Sequence, residues 1–179
     1  MELGERERLR RSFQPCRVQL LFVGESPPAS GRFFYSGNSG LYRAMRAAFE
    51  QADPRVHEEN FLAFFRSYGC YLVDLSLEPV DHLDVVTRRS MCKAGEEHLT
   101  NEIVRFQPEV IAPLLRSIAS NVEHAAAGAN WNGRLVPLPY PGRWSRLREA
   151  FIETLLPVVR QLRWKDDCEL NSELSRSGL

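Results

Sequence analysis

The run Leu20-Leu21-Phe22-Val23 stops at Gly24 and is followed at once by Glu25, Ser26, Pro27 and Pro28. Four apolar residues cut off by glycine and proline read as a short buried strand. In an open α/β sheet, ligands bind just beyond the carboxyl ends of the strands. A carboxylate, a hydroxyl and, a few residues on, the aromatic cluster Phe33, Phe34, Tyr35 therefore fall where such a fold does its chemistry.

The rest of the chain alternates in the same manner. Strands are predicted at residues 17–23, 70–75, 109–115 and 135–138. Helices are predicted at about 40–51, 60–67, 94–105, 117–127 and 145–163. In the first of these, Leu41, Met45, Ala48 and Phe49 share one face; in the second, Asn60 stands as a candidate cap. Residues 1–15 are charged and read as an arm or a short first helix. Polar, turn-prone residues occupy the stretch after the second strand to about Lys93, with Asp81, His82 and Asp84 in a solvated loop. Pro113 marks the end of the third strand. Strands alternating with helices predict an α/β fold of three layers, with a central four-stranded parallel sheet between helices. The expected division is a single domain over 1–164 and a polar tail over 165–179.

Composition constrains function less. The chain has 179 residues, 44% hydrophobic and 26% charged, with a formal net charge of zero. Bulk charge selects no partner, so a nucleic-acid surface has to come from local clustering. Arginines do crowd the C-terminal third, at 134, 143, 146, 148, 160 and 163. No apolar run approaches the ~18 residues of a membrane helix, and the charged first residues lack an apolar signal core. The expectation is a cytoplasmic protein that does not engage membranes. Cys16, Cys70, Cys92 and Cys168 are widely spread without a CxxC pair, which predicts free thiols rather than a zinc ribbon.

Three predicted loops, after the first, second and fourth strands, carry a pattern that resembles the uracil-DNA glycosylase superfamily over about residues 17–164. GESPP at 24–28 resembles the family's first motif, a glycine, then Gln or Glu, a variable residue and proline. YLVDLS at 71–76 stands where the family ends a strand in an asparagine that reads the base edge. VPLPYPGRW at 136–144 stands where the family has a strand, a His-Pro-Ser or Asn-Pro-Ser triplet, a wedge residue and a helix.

The resemblance implies a monofunctional DNA glycosylase acting in repair of DNA with a deaminated or damaged base, uracil or a related one. Such an enzyme must take the base out of the stack before cleaving its glycosidic bond. The chemistry asks for a stacking face, polar groups on the pairing edge, a carboxylate near the sugar and donors near the departing base. Carried over residue by residue, Glu25, Ser26, Asp74 and Tyr140 are the candidate catalytic residues. Gly24, Pro27, Phe33, Phe34 and Asp74 would bind the base. Pro141, Gly142, Arg143, Trp144, Ser145 and Arg146 would contact DNA, with Arg143 and Trp144 at the wedge and Arg146 and Arg148 able to hold phosphates. No metal or cofactor is implied, since the N-terminal CxxC of the iron–sulfur branches is missing. A monomer is expected.

Three positions depart from the family. Ser26 replaces the Asp or Asn of several active branches, although another branch has a small residue there. Asp74 replaces the base-reading Asn, and a carboxylate accepts hydrogen bonds without donating. Tyr140 replaces His or Asn. Each also has a plain structural reading: Glu25 as a satisfier of backbone donors, Tyr140 as a loop anchor, and at least one of Phe33, Phe34 and Tyr35 as core. Two further functions stay open. One is a catalytically inactive module that binds nucleic acid or a free base on the same fold. The other is a small-molecule hydrolase or transferase on an unrelated doubly wound sheet, which the missing glycine-rich phosphate loop and nucleophile elbow disfavour.

Overall fold

The computed structural model describes residues 2–142 and 144–162. Helix α1 spans Leu3–Ser12 and leads into β1, Leu20–Gly24. Helices α2 (Gly40–Ala52) and α3 (Phe61–Ser67) precede β2, Cys70–Asp74. Helices α4 (Val85–Ala94) and α5 (Glu96–Phe106) precede β3, Val110–Pro113. Helix α6 (Ala119–Gly128) precedes the short β4, Arg134–Leu135, and α7 (Ser145–Val159) follows. The four strands form one all-parallel sheet in the order β2-β1-β3-β4. Helices flank it in a three-layer α/β/α arrangement.

The order of strands explains the layers. The chain leaves β1 toward one edge to make β2, then crosses back over β1 to make β3 and continues outward to β4. Right-handed crossovers in opposite directions place their helices on opposite faces of a sheet. Accordingly α2 packs against α7, and α5 against α6. Every residue of β1 is buried, as expected of a parallel strand covered on both sides.

The exposed edge of β2 is closed by a side chain. Tyr35, in a one-turn 3-10 helix at Phe34–Ser36, accepts a hydrogen bond from the Leu72 amide at 2.8 Å and donates to the Leu72 carbonyl at 3.1 Å. One hydroxyl thus satisfies two edge groups that would otherwise be orphaned in the interior. Beside it, Phe34, Tyr42, Phe49, Phe61 and Phe65 pack edge-on and tilted against one another. These buried rings, each contributing roughly 2 kcal/mol by leaving water, tie α2 and α3 to the sheet.

Some expectations need correction. The stretch before Lys93, read as turns, contains α4. The Asp84 carboxylate caps it, accepting from the amides of Val86 and Thr87 at 2.9 and 3.1 Å. Only Cys92 of this helix is buried, so the helix shows no apolar period and escapes a search for one. Asn60 braces the turn before α3, accepting from the His57 amide and donating to the Arg55 carbonyl, instead of capping the helix. Strand β4 is two residues long. The ladder still runs on, with Val136 N–H on the Ile111 carbonyl and Leu138 N–H on the Pro113 carbonyl, which covers the predicted span. The end of the last predicted helix, at Arg163, and the tail with Cys168 lie outside the described residues. Cys70 and Cys92 are buried free thiols and Cys16 is exposed.

Gly95 joins α4 to α5 directly over the chain leaving β2. A Cβ there would stand 2.0 Å from the Leu75 carbonyl oxygen, and backbone cannot move aside cheaply. Gly95→Ala is expected to lower stability by about 2 kcal/mol, in the usual range for overpacking. Urea unfolding followed by circular dichroism measures this; an unchanged midpoint would contradict the close approach.

Candidate functional site

All four strands release their chains at one end of the sheet, around a cleft of about 670 Å³. The direction of winding switches between β1 and β3, the place where open α/β sheets form a crevice. The ladder continues past the strand ends and holds these loops in register. Leu75 and Ser76 donate to the carbonyls of Gly24 and Glu25, and on the other side Leu114 donates to Val23. Gly24, Glu25, Ser26, Pro27, Phe33, Phe34, Asp74, Tyr140, Pro141 and Gly142, residues chosen from sequence, all line this one cleft. Leu114 and Leu115, at the end of β3, complete it.

Other predicted residues sit elsewhere or cannot be placed. Ser145 and Arg146 open α7 and are exposed. Trp144 precedes them with 69% of its surface exposed. Arg143 lies outside the described residues. Arg148, one turn into α7, reaches the cleft.

Two of the three carboxylates that line the cleft, Glu25 and Asp74, have different environments. Glu25 is buried and gripped by a residue the sequence reading did not single out. Arg88, on α4, donates from Nε to Glu25 Oε1 at 2.7 Å and from Nη2 to Oε2. The Cys92 thiol, one turn further along α4, adds a contact to Oε1 at 3.8 Å, and burial pushes that thiol up. The bidentate fork fixes both carboxylate oxygens. Arg88 escaped notice because α4 itself did.

Asp74 ends β2 opposite Gly24 in the register. No hydrogen bond from a described residue reaches its carboxyl. Its Oδ1 occupies the space that a side chain on residue 24 would need: a Cβ there would lie 2.4 Å away. Burial pushes the Asp74 carboxyl up to about 7, while Arg10 and Arg6 on α1 pull it down. Of the two readings of the N-terminus, an arm or a short first helix, the structure has the helix, and it backs the site.

The other polar groups are also placed. Ser26 Oγ accepts from the Val80 amide at 3.2 Å, joining the first two loops. Asp81 accepts from the Ala29 amide at 3.2 Å and enters the cleft wall. Tyr140 is 49% exposed; burial of part of the ring, then the Asp81 charge, raises its hydroxyl. Phe33 and Phe34 are buried. Phe34 belongs to the aromatic core, whereas Phe33 borders both the cleft and a small chamber behind Asp74.

The cleft is cationic in a chain of zero net charge. Arg32, Arg43, Arg88 and Arg148 line it, against Glu25, Asp74 and Asp81. Arg88 is neutralised by Glu25, and none of Arg32, Arg43 and Arg148 is held in an ion pair with a described residue. Unpaired guanidinium groups around a cavity favour an anionic ligand. No helix of the described residues is long and apolar enough to cross a membrane. A scan against protein-family models finds no match for this chain, and a search of the curated proteins also finds none.

Because the folded value of Asp74 lies above its ordinary 3.8, the stability carried by the protonated form is complete below about pH 4 and is lost as pH rises to about 7. Removing the ionisable group removes that loss. Asp74→Asn is expected to raise the melting temperature at pH 8, on the order of 2 kcal/mol in stability, and to change little at pH 4. Thermal denaturation at the two pH values checks this, and an equal shift at both would contradict it.

Proposed function

We propose that this protein is a DNA glycosylase that hydrolyses the N-glycosidic bond of a flipped, deaminated or damaged base. The observation that carries the reading is the convergence of the three motif loops on one cleft, with a carboxyl and arginines around it that have no ion-pair partner among the described residues. The volume lies in the range of ligand sites of about 300–1,000 Å³, ample for a base with its sugar. The arginines suit the flanking phosphates.

In this reading the base enters between the Glu25–Pro28 loop and Tyr140, with Phe33 in the wall and Asp74 at its pairing edge. The bond between the sugar carbon and the base nitrogen breaks, its electron pair leaving with the base. Water adds its oxygen to the sugar carbon, and its remaining proton balances the charge on the released base. Glu25, fixed by Arg88, stands on the sugar side of the cleft as a hydrogen-bond acceptor; Tyr140 offers a donor toward the base.

A second reading is favoured by one feature of the same site. Both Glu25 oxygens are held by Arg88, and the Ser26 oxygen is turned to the Val80 amide. Neither group is free to activate water, which suits a module that binds a nucleotide or base without cleaving it.

Oligonucleotides carrying uracil, hypoxanthine or xanthine, single-stranded and opposite each base, followed by alkaline cleavage, separate the two. Glycosylase activity predicts strand breaks at one modified base, abolished by Asp74→Ala. Retention of DNA without breaks on any substrate would support the binding module and rule out the enzyme. In either case Arg148→Ala is expected to weaken DNA binding and reduce the salt slope by about 1.

A further inference from the structure

Three acids line the cleft, and the protein occupies two of them. Glu25 has both oxygens taken by the fork of Arg88. Asp81 accepts from the Ala29 amide. Asp74 ends β2 half-buried, lines the cleft, and has neither oxygen engaged by a hydrogen bond from a described residue. It is the acceptor of the cleft whose needs are left for a ligand to meet.

Behind it, a chamber of about 20 Å³ is lined by Arg6, Arg10 and Asp74 among others. Arg10 is 6% exposed and turns Nε and Nη2 to Glu7 at 2.7–3.0 Å. Its Nη1 is buried with no partner among the described residues. Burial works against a charge on Asp74, and Arg10 and Arg6 favour it. A guanidinium with a donor to spare, on the same chamber as an acid with neither oxygen engaged, favours the anion of that acid. The carboxylate then presents two acceptors to the cleft and no donor.

We propose that Asp74 makes the cleft selective for a guanine-type edge, its two oxygens accepting side by side from the ring N–H and the adjacent exocyclic amino group. Guanine presents two neighbouring donors there. Hypoxanthine keeps the ring N–H and lacks the amino group. Uracil flanks its N–H with two carbonyls, one of which would face a carboxylate oxygen and repel it. A carboxamide, with one acceptor and one donor, suits the lactam edge of uracil or hypoxanthine instead. The inference rests on the base-excision reading of the cleft and names the class of base it takes: guanine in a damaged form that keeps both donors, as 8-oxoguanine does. The cleft, at about 670 Å³, has room for a purine with its sugar.

The test is binding of deoxyguanosine, deoxyinosine, deoxyuridine and 1-methyldeoxyguanosine to the full chain by NMR titration at pH 8, above the value of about 7 to which burial pushes the Asp74 carboxyl. Wild type should bind deoxyguanosine roughly tenfold or more tightly than each of the others, the range for one good bidentate contact. Deoxyinosine loses the amino donor, 1-methyldeoxyguanosine loses the ring N–H, and deoxyuridine brings a carbonyl against the carboxylate. This ranking needs no variant to fold. Asp74→Asn, once circular dichroism confirms folding, should reverse the order and prefer deoxyinosine and deoxyuridine, a switch that a purely structural role for Asp74 would not produce. Equal affinity of wild type for deoxyguanosine and deoxyinosine, tighter binding of deoxyuridine, an unchanged order in folded Asp74→Asn, or no binding of deoxyguanosine would overturn the proposal. Oligonucleotides carrying 8-oxoguanine or uracil, with the released base measured directly, keep the two readings apart. No release of either base alongside the expected ranking removes the excision reading and leaves this one standing; release of uracil without a preference for guanine does the reverse.

Discussion

The close approach of Gly24 and Asp74 is the contact on which the site depends. Parallel pairing sets the last residues of β1 and β2 side by side, and Oδ1 of one occupies the space a side chain on the other would need. Only glycine leaves that space. The carboxyl is thereby laid over the strand end and turned to the cleft, and the loop of Glu25 departs beside it. Any residue with a Cβ at position 24 would push the Asp74 carboxyl out of place before it disturbed the core.

Around that contact the fold separates two carboxylates that the sequence presents alike. Glu25 meets a guanidinium in a bidentate fork. Asp74 meets a small chamber lined by Arg6 and Arg10, and Arg10 turns Nε and Nη2 to Glu7. Helix α1 takes part in this division although it is remote in sequence from every motif. Tyr35 plays a similar supporting part at the other side of β2, where its hydroxyl closes the sheet edge.

Much of the architecture was legible because parallel strands buried on both faces are short apolar runs, and LLFV, CYLV and VIAP stand out between polar flanks. The α2 face and the closing role of Pro113 were legible for the same reason. Helix α4 was not. It is held by the Asp84 cap, the Arg88–Glu25 ion pair and burial of Cys92, which leave no apolar stripe to detect. With α4 unseen, Arg88 had no reason to be chosen, and Glu25 looked like a lone strand-end acid. The arm at residues 1–15 gave no hint of its target, since a charged helix buries Arg10 only where a partner surface exists.

By itself the sequence determined the alternation of strands and helices, and hence the parallel sheet, and it marked loops that meet at one cleft. Alternation is a local property, set by hydrophobic period and by glycine and proline breaks. Tertiary structure alone decided which acid is paired with a guanidinium, and that arginines from the first loop, α2, α4 and α7 share one cleft. Burial, charge pairing and close approach depend on residues tens of positions apart, such as Glu25 with Arg88 and Arg10 with Asp74, and no local pattern records those distances.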